Sequence, residues 1–333
     1  MFLLSSMEDT PRTQMEKSTT ILRRSIFTFL KNYHFFSLTP AILVFPYSVS
    51  VLLSQIFVPP SSLLQSIHGR LDALFQASGF PYPSDFFAIL SLKLSQTICF
   101  SVFALLFTFS FFLIAKASVI ELCFRHGRIS KKPCLFSSIL PLYKPLLETQ
   151  TCIFLLIVSA NATAFSVLFF GFNLIDGLGF SSPKWILLMS VLGAIFYSLI
   201  AANAFIISNL ALVSSGLDKS GGHLSILKAF VVVKGRSSSA LSLALPMNLS
   251  MAAIEALFHH RVVRAYESGD SAWFPMAFEG VLIAYLYSTI LVLDTVVSCL
   301  FFDSCRAGGS MNMKIEIADD DGYVKLKNVE DLP

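Results

Sequence analysis

Five side chains that can hold charge or hydrogen-bond strongly fall within apolar stretches of this chain: Lys116, Asn248, Glu255, Glu279 and Asp294. Such groups are expensive in hydrocarbon, so they mark ion paths, proton relays or bonds between helices. Lys116 and Asp294 carry opposite charges near the same end of their stretches, which fits an ion pair or a proton or ion site. Glu255 and Glu279 lie near the ends of two successive apolar stretches, where they can bracket a cation or stay hydrated at headgroup level. Asn248 follows Pro246 in a run of small residues, and Asn161, Asn203 and Asn209 are amides of the kind that bond across helices. Zinc-protease HExxH, Walker A and GxSxG patterns do not occur. The six histidines are scattered, and the adjacent His259 and His260 would point about 100° apart on a helix. The residue types therefore lead us to expect no catalytic residue, no metal site and no cofactor.

The elements that must position these groups follow from composition. The chain has 333 residues, 55% of them apolar and 14% charged, and a mean hydropathy of +0.71. A soluble domain averages about 25% charged residues. Here the apolar residues gather in blocks long enough to cross about 30 Å of hydrocarbon. Six blocks qualify: 35–57, 94–118, 151–172, 185–213, 240–258 and 274–302. The expected fold is all-α, a polytopic bundle of six transmembrane helices. Pro40 and Pro46 predict a bend in the first span, and the second can begin as early as Ser84 with an interfacial first part. The six cysteines form no CxxC pair and are expected to stay reduced.

Lys and Arg alternate between sides. Eighteen of the 24 fall in the N-terminal segment, the second and fourth loops and the tail, against five in the other loops. The positive-inside rule then puts both termini in the cytosol. The organisation expected is a cytosolic segment at 1–34 with an amphipathic helix, a membrane domain at 35–302, and an acidic, largely disordered cytosolic tail at 303–333. The first outer loop carries Leu64, Ile67, Leu71, Leu74 and Phe75 at helical spacing, as a cap on the outer face. A net charge of +3 without a basic tract excludes a nucleic-acid module.

Small residues recur every fourth position at Ser190, Ala194, Ser198 and Ala202 in the fourth span, and at Ala240, Ala244, Asn248, Ala252 and Ala256 in the fifth. Small side chains let helices approach in lipid, so a tight interface between these two spans is expected, with a narrow substrate path as the alternative reading.

The loop after the fourth span reads Leu217-Asp218-Lys219-Ser220-Gly221-Gly222, then Ser225, Lys228-Ala229 and Val232-Val233-Lys234-Gly235-Arg236; the tail holds Gly322-Tyr323-Val324-Lys325-Leu326-Lys327. These segments resemble a plant family of six-span integral membrane proteins without an assigned activity. In that family an acid is usual at the place of Lys219 and an aromatic at that of Gly221. The resemblance implies a six-span plan and supplies no catalytic residue. Read physically, Leu224, Leu227, Val231 and Val232 define a short helix on the cytosolic surface in contact with lipid. The alternative is a cytosolic partner docking at 217–236. The function expected is that of a non-enzymatic multi-pass protein, structural or regulatory, in the endoplasmic reticulum or the plasma membrane. The alternative is a small-solute or lipid transporter. Its expected partners are membrane lipids.

Overall fold

The computed structural model describes residues 11–77, 85–125, 136–178, 183–219, 221–234, 236–268 and 273–320. The described residues are helical almost throughout and contain no strand. In chain order the helices are α1 (Pro11–Lys31), α2 (Tyr33–Phe57), α3 (Ser62–Ala77), α4 (Asp85–Phe107), α5 (Leu113–Arg125), α6 (Phe136–Gly177), α7 (Pro183–Asp218), α8 (His223–Lys234), α9 (Ser237–Phe258), α10 (Arg264–Glu267) and α11 (Trp273–Asp320). Wide π-turns at Thr108–Phe112 and His259–Val263 join α4 to α5 and α9 to α10 without breaking the helical run.

Five helical stretches are long and apolar enough to cross a membrane: Ser91–Phe124, Leu140–Gly171, Leu187–Asp218, Ser237–Glu267 and Phe274–Arg306. They correspond to the second to sixth blocks of the sequence. The first block is different. Ala41–Phe57 and Ser62–Ala77 pass the test only together, as a pair bent by 73°. The α2 helix runs unbroken through Pro40 and Pro46, and the chain turns instead at Val58–Ser61, ahead of α3. Ser61 caps that turn: its Oγ donates to Val58 O at 2.7 Å and accepts from Leu64 N–H at 3.2 Å.

Two further expectations are corrected. The helix begun at Asp85 continues to Arg125, past the expected end at Ser118, because the π-turn absorbs an extra residue without ending the backbone ladder. Ser84 lies outside the described residues. The α11 helix does not stop near Phe302 but runs on to Asp320. Once a helix is nucleated each added residue costs little, and Met311, Met313, Lys314 and Glu316 are good helix formers that favour the extension. Asp321 and the Tyr323–Lys327 segment lie outside the described residues.

The helices pack unevenly. The α6 and α7 helices form an antiparallel hairpin along most of their length. Thr149 meets Ser215 at one end, Asn161 meets Tyr197 midway, and a Cβ on Gly171 would touch Met189 near the other end. At the Thr149 end, α5, α8, α9 and α11 close around this hairpin. Residues 115–120 of α5 and 210–215 of α7 are buried at every position. Toward the other end Phe75 of α3 meets Phe165 of α6 at 6.1 Å between ring centroids, and Leu187, Val191, Leu192, Ile195 and Leu199 of α7 are exposed. The α2 and α11 helices pack closely, while α1 lies against α9 and α11, burying Ser18, Ser25 and Phe29 and leaving Phe27 and Leu30 exposed.

Candidate functional site

The wide turn at Thr108–Phe112 sets up the polar centre of the molecule. A π-turn leaves a carbonyl without its usual helical partner; Tyr143 Oη donates to Phe109 O at 2.8 Å. The Phe112 ring of this turn stacks on Tyr47 at 4.6 Å between centroids, and Lys116 Nζ lies 4.7 Å from its centroid. Lys116 is only 5% exposed. Its ammonium donates to Asn209 Oδ1 at 2.9 Å, and Asn209 Nδ2 donates to Asp294 Oδ2 at 3.3 Å. The expected Lys116–Asp294 pair therefore forms through an intervening amide, linking α5, α7 and α11. Asn209 suits this place because an amide is acceptor and donor at once.

A pocket opens beside this relay between α7, α9 and α11, with ≈ 30 Å³ of space for the centres of water-sized molecules. Asn209, Asp294 and Ser298 supply its polar wall, and Ala240 and Ala244 leave it room on the α9 side.

The other candidates are placed apart from this centre. Glu255 accepts a 2.9 Å hydrogen bond from Tyr287 Oη. Glu279 pairs with Arg261 at 3.2 Å on an exposed surface. The two carboxylates thus have separate partners and do not bracket a common cation, because the π-turn at His259–Val263 carries Arg261 to Glu279. Asn248 is exposed on α9. Among the described residues no group of three His, Cys, Asp or Glu is arranged to hold a metal ion, and His259 and His260 are both exposed. Cys99, Cys123, Cys152, Cys299 and Cys305 are free thiols, and Cys134 lies outside the described residues.

Of the three further amides, two bond across helices. Asn209 does so in the relay, and Asn161 Oδ1 accepts from Tyr197 Oη at 3.0 Å. Asn203 turns back to its own helix, donating to Leu199 O at 2.9 Å. Sequence reasoning missed the pairing of Ser288 and Ser48, whose hydroxyls meet at 2.8 Å between α11 and α2. Each helix carries several serines, and nothing in their spacing singles out this pair.

The small-residue stripes are corrected. Ala194 and Ser198 of α7 and Asn248, Ala252 and Ala256 of α9 are exposed, and the two helices touch sparingly. The α7 helix spends its close approach on α6, where a Cβ at Gly193 would sit 2.7 Å from Leu168 Cδ2. In the stripes only Ala240 is fully buried.

The resembling loop forms α8, as its periodicity predicted. Its small residues Ser225 and Ala229, with Val233, face the bundle, and Leu224, Leu227 and Val231 are exposed with Phe230. The turn before it is built tightly: Gly222 has φ +76°, and a Cβ on Gly221 would lie 3.0 Å from Pro145 Cα and O. An aromatic side chain at Gly221 has no room in this turn. Gly222 N–H donates to Thr149 Oγ1 at 2.9 Å, and Lys228 pairs with Asp218 at 2.8 Å.

Among the described residues, several helices are long and apolar enough to cross a membrane, which is consistent with an integral membrane protein of the helical class. The chain belongs to the family of the domain of unknown function DUF8558, whose model matches residues 9–320. None of the curated proteins and none of the solved structures matches it.

Proposed function

We propose that this is a non-enzymatic, six-span membrane protein with a structural or regulatory role, in which the bent α2–α3 pair supplies the first span. The observation that carries this reading is the relay from Lys116 through Asn209 to Asp294, which ties three helices together with the charges turned inward on one another. Charges on a transport path must exchange partners with a passing solute, whereas Asn209 holds Lys116 and Asp294 to one another across three helices. The resemblance of the 217–236 loop to plant six-span proteins agrees with this plan and suggests a plant membrane, either the endoplasmic reticulum or the plasma membrane.

In this reading both termini are cytosolic and the packed end of the bundle faces the cytosol, since Lys219, Lys228, Arg236 and Arg306 lie at that end. The exposed apolar side of α8 lies in the cytosolic headgroup region, with Lys219 near phosphate. A glycosylation acceptor inserted near Gly79, between α3 and α4 in the sequence, is then modified, and one inserted near Ser130 is not; the reverse pattern overturns the orientation. Reconstitution into proteoliposomes tests the functional reading. We expect no flux above empty vesicles over a broad solute panel, and flux abolished by Asn209→Leu would instead establish the transporter reading.

A further inference from the structure

We propose that the pocket between α7, α9 and α11 binds the hydroxyl end of an uncharged, membrane-dissolved lipid. The inference extends the membrane-protein reading above by naming a ligand class that the bundle can respond to.

Asp294 carries the argument. Its carboxyl group is 7% exposed and accepts one long hydrogen bond, 3.3 Å from Asn209, through Oδ2. A carboxylate has about four acceptor positions, so most of its capacity remains for a donor in the pocket it lines. Ser298, on the same helix one turn on, adds a hydroxyl that can donate or accept. Lys116 stands behind Asn209 and balances the carboxylate, which favours a neutral donor over an ammonium head. The carboxylate in turn repels a phosphate. An alcohol satisfies both conditions.

The remaining wall is apolar, with Leu243, Val297 and Phe301, as the carbon skeleton next to a hydroxyl requires. With ≈ 30 Å³ for water-sized centres, the pocket takes a hydroxyl and the carbons nearest to it, not a ring system. The rest of the molecule must therefore lie outside, and the surface beyond the pocket is apolar and exposed, with Leu199 on α7 and Leu241 and Leu245 on α9. The small residues Ala240 and Ala244 keep the floor of the pocket open.

The test uses the full chain in phosphatidylcholine nanodiscs doped with a clickable, photoreactive sterol or a photoreactive diacylglycerol. Labelled peptides are mapped by mass spectrometry. We expect label concentrated on 206–210, 240–244 and 294–301, several-fold weaker after addition of the unlabelled alcohol and unchanged by its methyl ether. Ser298→Ala should weaken labelling and Ala244→Phe should abolish it, and both variants are checked for monodispersity. If Ala244→Phe does not fold, Ser298→Ala and the ether competition decide. The two probes distinguish sterol from diacylglycerol. Label spread evenly over the lipid-facing 154–170 segment, equal competition by the ether, or no label from either probe (a pocket filled by water alone) overturns the proposal. Solute flux in proteoliposomes would contradict the functional reading and leave this labelling result unaffected.

Discussion

Two parts of α7 differ in composition and in surroundings: 187–205 has four residues that are not apolar among nineteen, and 206–215 has four, Ser208, Asn209, Ser214 and Ser215, among ten. Residues 187–205, about 28 Å of helix at 1.5 Å per residue, expose Leu187, Val191, Ile195 and Leu199. Residues 206–215 are almost wholly buried. The other long helices divide in the same way. In α11, Phe274, Phe278 and Leu282 are exposed, while Val292, Val296 and Phe302 are buried; in α6, Leu155 and Phe170 are exposed, while Leu146 and Thr149 are buried. Hydrocarbon solvates a leucine as well as another leucine does, so apolar character alone does not draw helices together in a membrane. Polar bonds and close backbone approach do. The packed half has both, in the Lys116–Asn209–Asp294 relay, the Thr149 contacts and the small residues Ala115, Ala117, Ala211 and Ala229. The exposed half has fewer cross-helix bonds, as at Asn161–Tyr197, and its helices spread.

Removing one end of the relay should break this division most severely. Asp294→Leu leaves the Lys116 ammonium buried without its counter-charge, and Lys116→Leu strands the carboxylate. Breaking a buried pair from one side typically costs about 3–5 kcal/mol, whereas replacing both partners by apolar groups is often close to neutral. Unfolding in mixed micelles under increasing denaturant should show large losses for each single variant and recovery of most of the loss in the double variant. Equal losses for single and double variants would mean that the side chains act by shape and not by charge.

The relay also shows how much was legible beforehand. Lys116, Asp294 and Asn209 were each visible as polar residues in apolar blocks, because the cost of burying them makes them conspicuous. Their order was not visible: a lysine and an aspartate suggest a direct pair, and placing the amide between them depends on the relative heights of three helices. The helical blocks after the first were legible from hydropathy, and so was α8 from its spacing. The stripes misled because spacing reports which residues share a face and not what that face meets. The close approach of α7 to α6 at Gly193 involves a single residue outside any periodic pattern. The length of α11 escaped because composition averages over a segment, whereas a helix already formed extends one residue at a time.

Smaller effects should separate the halves further. In the packed half, Thr149 Oγ1 lies 2.8 Å from Pro145 O and 2.9 Å from Ser215 Oγ, and accepts from Gly222 N–H. Thr149→Val leaves that N–H without its partner and should cost about 1–3 kcal/mol. Gly221→Ala should cost a similar amount, about 1–3 kcal/mol, since its Cβ meets backbone at Pro145 that cannot step aside. In the exposed half, a Cβ at Gly193 meets the far end of the Leu168 side chain, which can change rotamer. The gain in helix propensity from Gly to Ala, up to about 1 kcal/mol, should offset that shift, leaving Gly193→Ala near neutral. The comparison fails if Gly193→Ala proves as damaging as Gly221→Ala in the same denaturant series.

The smallest effects should come from the exposed stripes. Ser198 and Ala252 sit on outer surfaces of α7 and α9, where an added side chain meets lipid and no neighbouring helix. Leu is at home in hydrocarbon, and overpacking requires something to be overpacked. Ser198→Leu and Ala252→Leu should therefore leave thermal aggregation of the solubilised protein unchanged, alone and combined. Ala229→Leu is the matching change in the packed half, where the methyl group is fully buried between α8 and the bundle, and it should cost about 1–3 kcal/mol. Were Ser198→Leu and Ala252→Leu instead to lower stability in a protein-concentration-dependent way, the stripes would be covered by a second copy of the chain, and the exposed half would be an assembly surface rather than a lipid-facing one.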